Sequence, residues 1–414
     1  MLQEAKLEVI VFVSTAPGDA LRAARKYGLE IWMVADGTLT WQRDLVDRQV
    51  DVSPYDVDAM VPVMQLLLDD TKRVGFITYD ERAVVSAAAL AHKLEGYSIT
   101  IQAALASRDK FQMRRALSEA GLRVPSFGLA ANVGEAVHVA ADLGFPVVLK
   151  PRWGMMSQGV VRTDNSEEVV AAFPRTQRVA QSHIPFAGSE AASEILIERF
   201  IPGRELAVDG TLSEDGFLLI GIFDKPDIGD GPYFEEVLYI TPSAETPETQ
   251  TLVATEVLSG VKALGLTSGA IHAEVRIQDG VCTIIEIGAR PIGGLCGRAH
   301  TYCLDVDYHD LVLQSTLGLP AQRRSIGGRT SYAGVLMLPV TERGILAEIT
   351  GVDQAKAIPN VRDVHVMAKP GDRLLGFPEQ DCYLGFVIAS APTHEAVRTA
   401  LDSAKASIVF EVFD

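Results

Sequence analysis

Residues 269 to 294 read Gly269-Ala270-Ile271-His272-Ala273-Glu274-Val275-Arg276-Ile277-Gln278-Asp279-Gly280-Val281-Cys282-Thr283-Ile284-Ile285-Glu286-Ile287-Gly288-Ala289-Arg290-Pro291-Ile292-Gly293-Gly294. Two apolar, β-branched runs flank the Asp279-Gly280 pair, the pattern of a β-hairpin. Each run carries one glutamate, Glu274 and Glu286. Two carboxylates held close together repel unless a cation lies between them, and hard oxygen donors suit Mg2+ or Mn2+. Parity provides the check. A loop centred on Gly280 puts the glutamates opposite one another on one face; a plain two-residue Asp279-Gly280 turn does so only with a bulge. Solvated charges on an edge hairpin would be the alternative, but both strands are otherwise apolar and read as central. His272 lies two residues before Glu274 and shares its face.

Arg290 and Gly293-Gly294 stand just past the end of the second strand. A guanidinium there can hold a carboxylate or a transferring phosphoryl group, and glycine amides can close on an oxyanion. Taken alone, Arg290 reads equally well as a surface ion pair. Upstream, Phe145 to Pro151 reads as a strand whose Lys150 follows apolar residues, so its ammonium is aimed into a cleft as a point charge for phosphate. Lys110 opens a helix expected from Ser107 to Ala120, ended by Gly121. The loop Trp153 to Gly159, before a strand at Val160 to Arg162, offers backbone amides and the Ser157 hydroxyl as a lid over phosphates. The strand Ile195 to Ile201 holds Glu198-Arg199-Phe200-Ile201. Pro202-Gly203 breaks it, and the next strand, Arg204 to Gly210, carries Glu205. A hinge of this kind can offer backbone groups to a purine edge and a carboxylate to ribose hydroxyls.

The chain before Ser107 has a different texture. Strand Leu7 to Val13, helix Ala20 to Lys26 and strand Glu30 to Val34 form a βαβ opening, extended by Val74 to Ile77, an alanine-rich helix from Ala83 to His92 and a further strand at Ile99 to Ile101. No GxGxxG or GxxxxGK[ST] follows the first strand, so this part reads as a scaffold lending one wall to a cleft. Beyond a basic, glycine-containing bridge at Gln322 to Gly328 come short strands at Ala333 to Leu338, Val364 to Met367 and Leu384 to Ile388, then a helix from Glu395 to Ser407. The 414 residues are enough for two or three domains with sizeable cores, at 48% hydrophobic composition. A net charge of -17 repels phosphate backbones and anionic lipid. Nucleic-acid and membrane partners are therefore not expected, and small molecules are. Cys282, Cys296, Cys303 and Cys382 show no CxxC pairing, which fits a reducing compartment. The Leu7 to Val13 run reads as a buried strand rather than a signal-peptide core, and the expected location is cytoplasmic.

In this order and on these elements, the two lysines, the hinge glutamates, the acidic pair and the arginine resemble an ATP-grasp ligase from about Ser107 to Leu319. The segment Gly269 to Glu274, with Lys369-Pro370-Gly371-Asp372 and Leu384-Gly385-Phe386-Val387, is similar to L-amino-acid ligases, which join two amino acids. The resemblance implies an α/β fold, α+β in the ATP-grasp part. It divides the chain into a Rossmann-like N-terminal domain (1-105), a small lobe with helical linker and lid (106-205), a large lobe with the metal site (206-322) and a C-terminal α+β subdomain (323-414). It assigns ATP phosphates to Lys110 and Lys150, with Lys225 also on the nucleotide. The hinge Glu198, Arg199, Phe200 and Ile201 would meet adenine, and Glu205 ribose. ATP and Mg2+ (or Mn2+) are the implied cofactors, with Glu274 and Glu286 bridging two metal ions.

Under the same resemblance Arg290, His272 and Ser157 serve catalysis, while Tyr233, Phe234, Glu235, Gly293 and Gly294 meet substrate. Tyr233 to Glu235 lie in an expected substrate loop from Asp224 to Ser243. A core role for His272 stays open beside the catalytic one. Where many relatives carry a further metal-ligating Asn, this chain has Gly288, so water takes that position or one metal is held more weakly. The implied reaction activates a carboxylate as an acyl phosphate, releases ADP, and lets an amine displace phosphate; a homodimer is a family-level expectation. An ATP-grasp carboxylase or a ligase using another acid, and a catalytically inactive nucleotide-binding regulator, are the competing readings.

Overall fold

A computed structural model describes residues 7-68, 73-182, 193-214, 216-226, 228, 231-304, 307-318, 331-376, 379-380 and 382-413. The bridge at 322-328 lies outside the described residues. Among those described, the strands form sheets of four, eight, three and four members.

The opening apolar run becomes the strand Val9–Val13, buried at every position. It pairs in parallel with Glu30–Val34 on one side and Val74–Ile77 on the other, with Arg48–Val50 at the far edge. A reversal of strand order on either side of the first strand opens a crevice at the strands' carboxyl ends. Thr15 and the residues from Tyr79 to Arg82, which follow those ends, line the main cavity. The expected strand at Ile99 to Ile101 is instead a helix start: Thr100 caps Ile101–Arg108, its side chain accepting from the Ala103 N–H. A threonine cap followed by alanines favours a helix over the local β-branched pair.

The expected helix from Ser107 to Ala120 is broken within its first turn. Asp109 stands outside helical geometry and caps Lys110–Glu119, accepting from the Phe111 N–H at 3.0 Å. Its carboxylate also takes a two-pronged contact from Arg152, at 2.9 and 2.6 Å, and the Lys110 N–H donates to the Arg152 carbonyl. The helix start is thereby tied to the loop after the strand Val147–Pro151. That strand lies between Ile195–Arg199 and Val161–Thr163, with Phe127–Ala130 outermost, in an antiparallel sheet packed under the helices Val133–Leu143 and Ser166–Ser182.

The eight-stranded sheet runs in the order Val281–Gly288, Gly269–Gln278, Arg204–Ser213, Gly216–Asp224, Leu238–Thr241, Tyr332–Leu338, Gly385–Ala391, Val361–Val366. The strands of the final region therefore continue the sheet that carries the acidic hairpin. Apolar side chains of Pro247–Ala263 and Lys110–Glu119 cover one face, where Val257, Val261 and Leu117 meet Ile284 and Ile287. Among the described residues no helix is long and apolar enough to cross a membrane.

Candidate active site

Glu274 and Glu286 stand directly opposite one another. The hairpin turns tightly: Gln278 pairs with Val281, and Asp279 and Gly280 both adopt positive φ, at 50° and 74°. That turn alone would have set the glutamates on opposite faces. The register shifts between Glu274 and Val275, leaving Ile285 as an extra residue that restores their pairing. The sequence reading required a longer loop or a bulge, and the chain uses a bulge. Buried Arg114 donates to the Ile285 carbonyl and, at 2.6 Å, to Glu198, so the bulge is tied to the hinge strand.

Both glutamates line a cavity of about 510 Å3 whose wall draws on the eight-stranded sheet, on the antiparallel sheet that holds Val147–Pro151 and Ile195–Arg199, and on the loops that follow the N-terminal parallel strands. Lys110 Nζ donates to Glu286 Oε1 at 2.6 Å and to the Gly154 carbonyl at 3.0 Å. A cation at a helix N-terminus opposes the macrodipole; Glu286 offsets it. Lys150 pairs with Glu198 at 2.6 Å. Burial pushes the Lys150 ammonium below its usual range although Glu198 pulls it up, while Arg114 and Lys150 outweigh burial to hold the Glu198 carboxyl down.

Lys225 lies beneath this surface. Its ammonium contacts Glu205 at 2.6 Å, Glu274 at 2.9 Å and Glu236 at 3.6 Å. Burial disfavours the charge, but the three carboxylates raise the Lys225 pKa well above normal. Burial pushes Glu274 up as well, yet Lys225 and His272 hold it well below the carboxylate range. Glu236 goes the other way: burial first, then repulsion from Glu274 and Glu205, raises it despite Lys225. Three carboxylates around one ammonium leave a local excess of negative charge that a divalent cation would neutralise. Among the described residues no cluster of three or more His, Cys, Asp or Glu forms a metal cage. An oxygen pair completed by phosphate and water, as Mg2+ prefers, is what the donor set fits.

At the far end, Arg290 donates to Glu81 and to the Pro291 carbonyl, and Arg108 holds the other Glu81 oxygen at 2.8 Å. Burial would raise the Glu81 carboxyl, but Arg290 and Arg108 bring it down to about 2. His272 is 3.8 Å from Glu274. Met156 and Ser157, in the loop expected as a lid, have φ of 53° and 54°, unusual for two successive non-glycine residues; Ser157 lines the cavity.

Fifteen of the anticipated positions therefore reach one cavity: Lys110, Lys150, Ser157, the Glu198 to Ile201 hinge, Glu205, Phe234, His272, the Glu274 and Glu286 pair, Arg290 and the Gly293-Gly294 pair. Tyr233 and Glu235 do not line it, whereas Glu236 does. An alternating segment exposes one side per residue, and spacing alone left its parity open. Glu81, Arg276 and Arg114 were missed altogether. Glu81 carries no local motif, but Arg276 shares the face of Glu274 by strand parity and could have been found that way.

Gly294 has φ of 62°, and a Cβ there would overlap Met337 Cε and meet Met337 Sδ at 3.0 Å. Gly294→Ala therefore adds roughly 1 to 2 kcal/mol of backbone strain and pushes the Met337 thioether into the cavity. On the ligase reading that the resemblance implies, kcat/KM for the carboxylate or amine should fall about tenfold, with the KM for ATP little changed. Steady-state kinetics on Gly294→Ala and on Gly294→Ala/Met337→Ala test this; the second variant should recover part of the loss.

Residues 143-299 match the ATP-grasp domain, and residues 336-412 match L-amino acid ligase C-terminal domain 2. The chain thus carries an ATP-grasp domain followed by the C-terminal domain 2 of L-amino acid ligases. It is 27% identical over 304 residues to uncharacterized protein y4rH of Sinorhizobium fredii, covering 73% of this chain and 61% of that protein. It is 26% identical over 208 residues to alanine--anticapsin ligase of Bacillus subtilis, covering 47% and 43%. The chain thus spans less than two thirds of these relatives. Its fold is similar to that of L-amino acid ligase from Bacillus licheniformis, with a TM-score of 0.89 at 24% identity over 100% of both chains.

Proposed function

We propose that this chain is an ATP-dependent carboxylate-amine ligase that joins amino acids through an acyl phosphate, releasing ADP and phosphate. The observation that carries the reading is the bulged pairing of Glu274 with Glu286 beside Lys110, Lys150 and Arg290 in one cavity, walled partly by an L-amino acid ligase type domain.

The carboxylate oxygens of Glu274 and Glu286 would hold Mg2+, which when bound neutralises charge on the phosphates and on the transferring phosphoryl group. Lys110 and Lys150 add point charges to the same tail, one at the metal pair and one at the hinge. Glu205 accepts from ribose. The Ile201 carbonyl is engaged by Arg276 at 2.8 Å, so the hinge meets adenine through its other backbone groups. Arg290 steadies the carboxylate as it attacks the γ-phosphate, with Glu81 fixing the plane of its guanidinium. The amides of Gly293 and Gly294 face the oxyanion that forms when the amine displaces phosphate. Closure of the segment from Gly154 to Ser157 keeps water from the acyl phosphate.

Phosphate release over all pairs of the twenty amino acids, with ATP and Mg2+ and mass detection of the product, tests the proposal. Expected is release that requires both amino acids and yields an equimolar dipeptide. Release with bicarbonate or another acid in place of an amino acid would move the chain to a different ligase class. Nucleotide binding without ADP formation under any pair would leave a regulator.

A further inference from the structure

Arg276 follows Glu274 by two residues on the strand Gly269–Gln278 and is 5% exposed. Its Nε donates to Glu205 Oε2 at 2.9 Å and its Nη1 to the Ile201 carbonyl at 2.8 Å. The guanidinium carbon lies 5.2 Å from the Phe200 ring centre and 5.4 Å from that of Phe234, two rings themselves stacked 6.2 Å apart. Arg162, from the strand after the lid, brings a second guanidinium to 4.4 Å from Phe200, while its backbone N–H donates to the Pro232 carbonyl. One side chain thus touches the hinge, the candidate ribose carboxylate and the segment that carries Phe234.

The demands on that side chain are particular. Two acceptors, one on the strand Arg204–Ser213 and one in the hinge before it, are met by two edges of one planar fork, and its face meets aromatic rings. A lysine supplies one point charge and no flat surface. Glu205 itself is held from two sides, Oε1 by Lys225 and Oε2 by Arg276. With only Lys225 left, the carboxylate can rotate about that single contact and its aim is lost.

We infer that Arg276 is a positioning residue that aims Glu205 for ribose recognition and locks the 231-236 segment to the nucleotide hinge. The inference rests on reading Glu205 and the hinge as the nucleotide site. It makes discrimination among sugar hydroxyls depend on a residue that need not touch the sugar.

The test uses the full chain with Arg276→Lys, Arg276→Gln and Phe234→Leu, measuring ADP release with ATP, 2′-deoxy-ATP and 3′-deoxy-ATP. In the wild type the deoxy-nucleotide lacking the hydroxyl bound by Glu205 should be the poorer substrate. In both Arg276 variants the KM for ATP should rise about tenfold or more, as for loss of a charge-assisted hydrogen bond. The preference for ATP over that analogue should shrink toward unity while kcat changes less. A residue that merely supported the fold would reduce activity with all three nucleotides alike. Phe234→Leu should relax the same preference through loss of the stacked face, and it carries the test with Arg276→Lys if Arg276→Gln fails to fold. Wild-type discrimination that survives unchanged in the variants overturns the role of Arg276 alone. A wild-type chain that treats the three nucleotides alike overturns the ribose reading of Glu205 and this inference with it.

Discussion

Glu286→Gln should bring ADP formation down by at least about 10²- to 10³-fold, the scale on which removing one preorganised electrostatic group lowers turnover. The change removes a charge and almost no volume. The introduced amide can still accept from Lys110 through its oxygen, and the cross-strand partner of Glu274 stays in register, so the fold should be retained. What is lost is half of the oxygen pair, leaving Glu274 with Lys225 as its main counterion. ADP release by the variant at rising Mg2+ is the measurement. Turnover close to wild type at saturating Mg2+ would reject the metal role of this pair and the reaction scheme built on it.

Lys225→Met should cost about 3 to 5 kcal/mol of stability, as expected when one partner of a buried ion pair is removed and the other is left uncompensated. Here the loss falls mainly on Glu274 and Glu236, because Glu205 keeps its contact from Arg276. Denaturant unfolding of wild type and variant measures the effect. Added Mg2+ should recover part of it, because a ligand that binds the folded state alone stabilises by mass action. A variant as stable as wild type would mean that the carboxylates repack or take up protons at little cost, and the picture of an anionic cluster held together by Lys225 would fail. A variant that is destabilised but gains nothing from Mg2+ would place the metal elsewhere.

Most of this site was legible because its chemistry sits on regular strands. Strand parity placed His272 with Glu274, and the hinge showed itself by the break at Pro202-Gly203. What parity could not supply was the bulge at Ile285: an extra residue in a run of isoleucines has no signature of its own, and only the contact from distant Arg114 marks it. The three inner strands of the N-terminal sheet were read correctly; the short edge strand Arg48–Val50 was missed, and at Ile99 to Ile101 a capping threonine outweighed two β-branched neighbours. Glu81 escaped notice for a different reason. Its function depends on Arg108 and Arg290 converging from remote positions, and no local pattern in the sequence encodes that meeting. Lys225, read as a nucleotide ligand, instead lies under the surface among carboxylates, a distinction of depth that spacing does not carry.

The eight-stranded sheet also constrains the order in which the chain can be completed. Leu238–Thr241 pairs on its outer side with Tyr332–Leu338, which in turn pairs with Gly385–Ala391. On a ribosome adding some 5 to 20 residues each second, the acidic hairpin emerges well before the strands that finish its sheet. For that interval the outer edge of Leu238–Thr241 presents unpaired N–H and C=O groups, the usual template for misassembly. Cutting the gene before residue 331 would make that interval permanent. A shortened product should therefore accumulate as insoluble material rather than as a smaller working enzyme, and exchange of C-terminal regions between relatives would have to carry the neighbouring Leu238–Thr241 strand along.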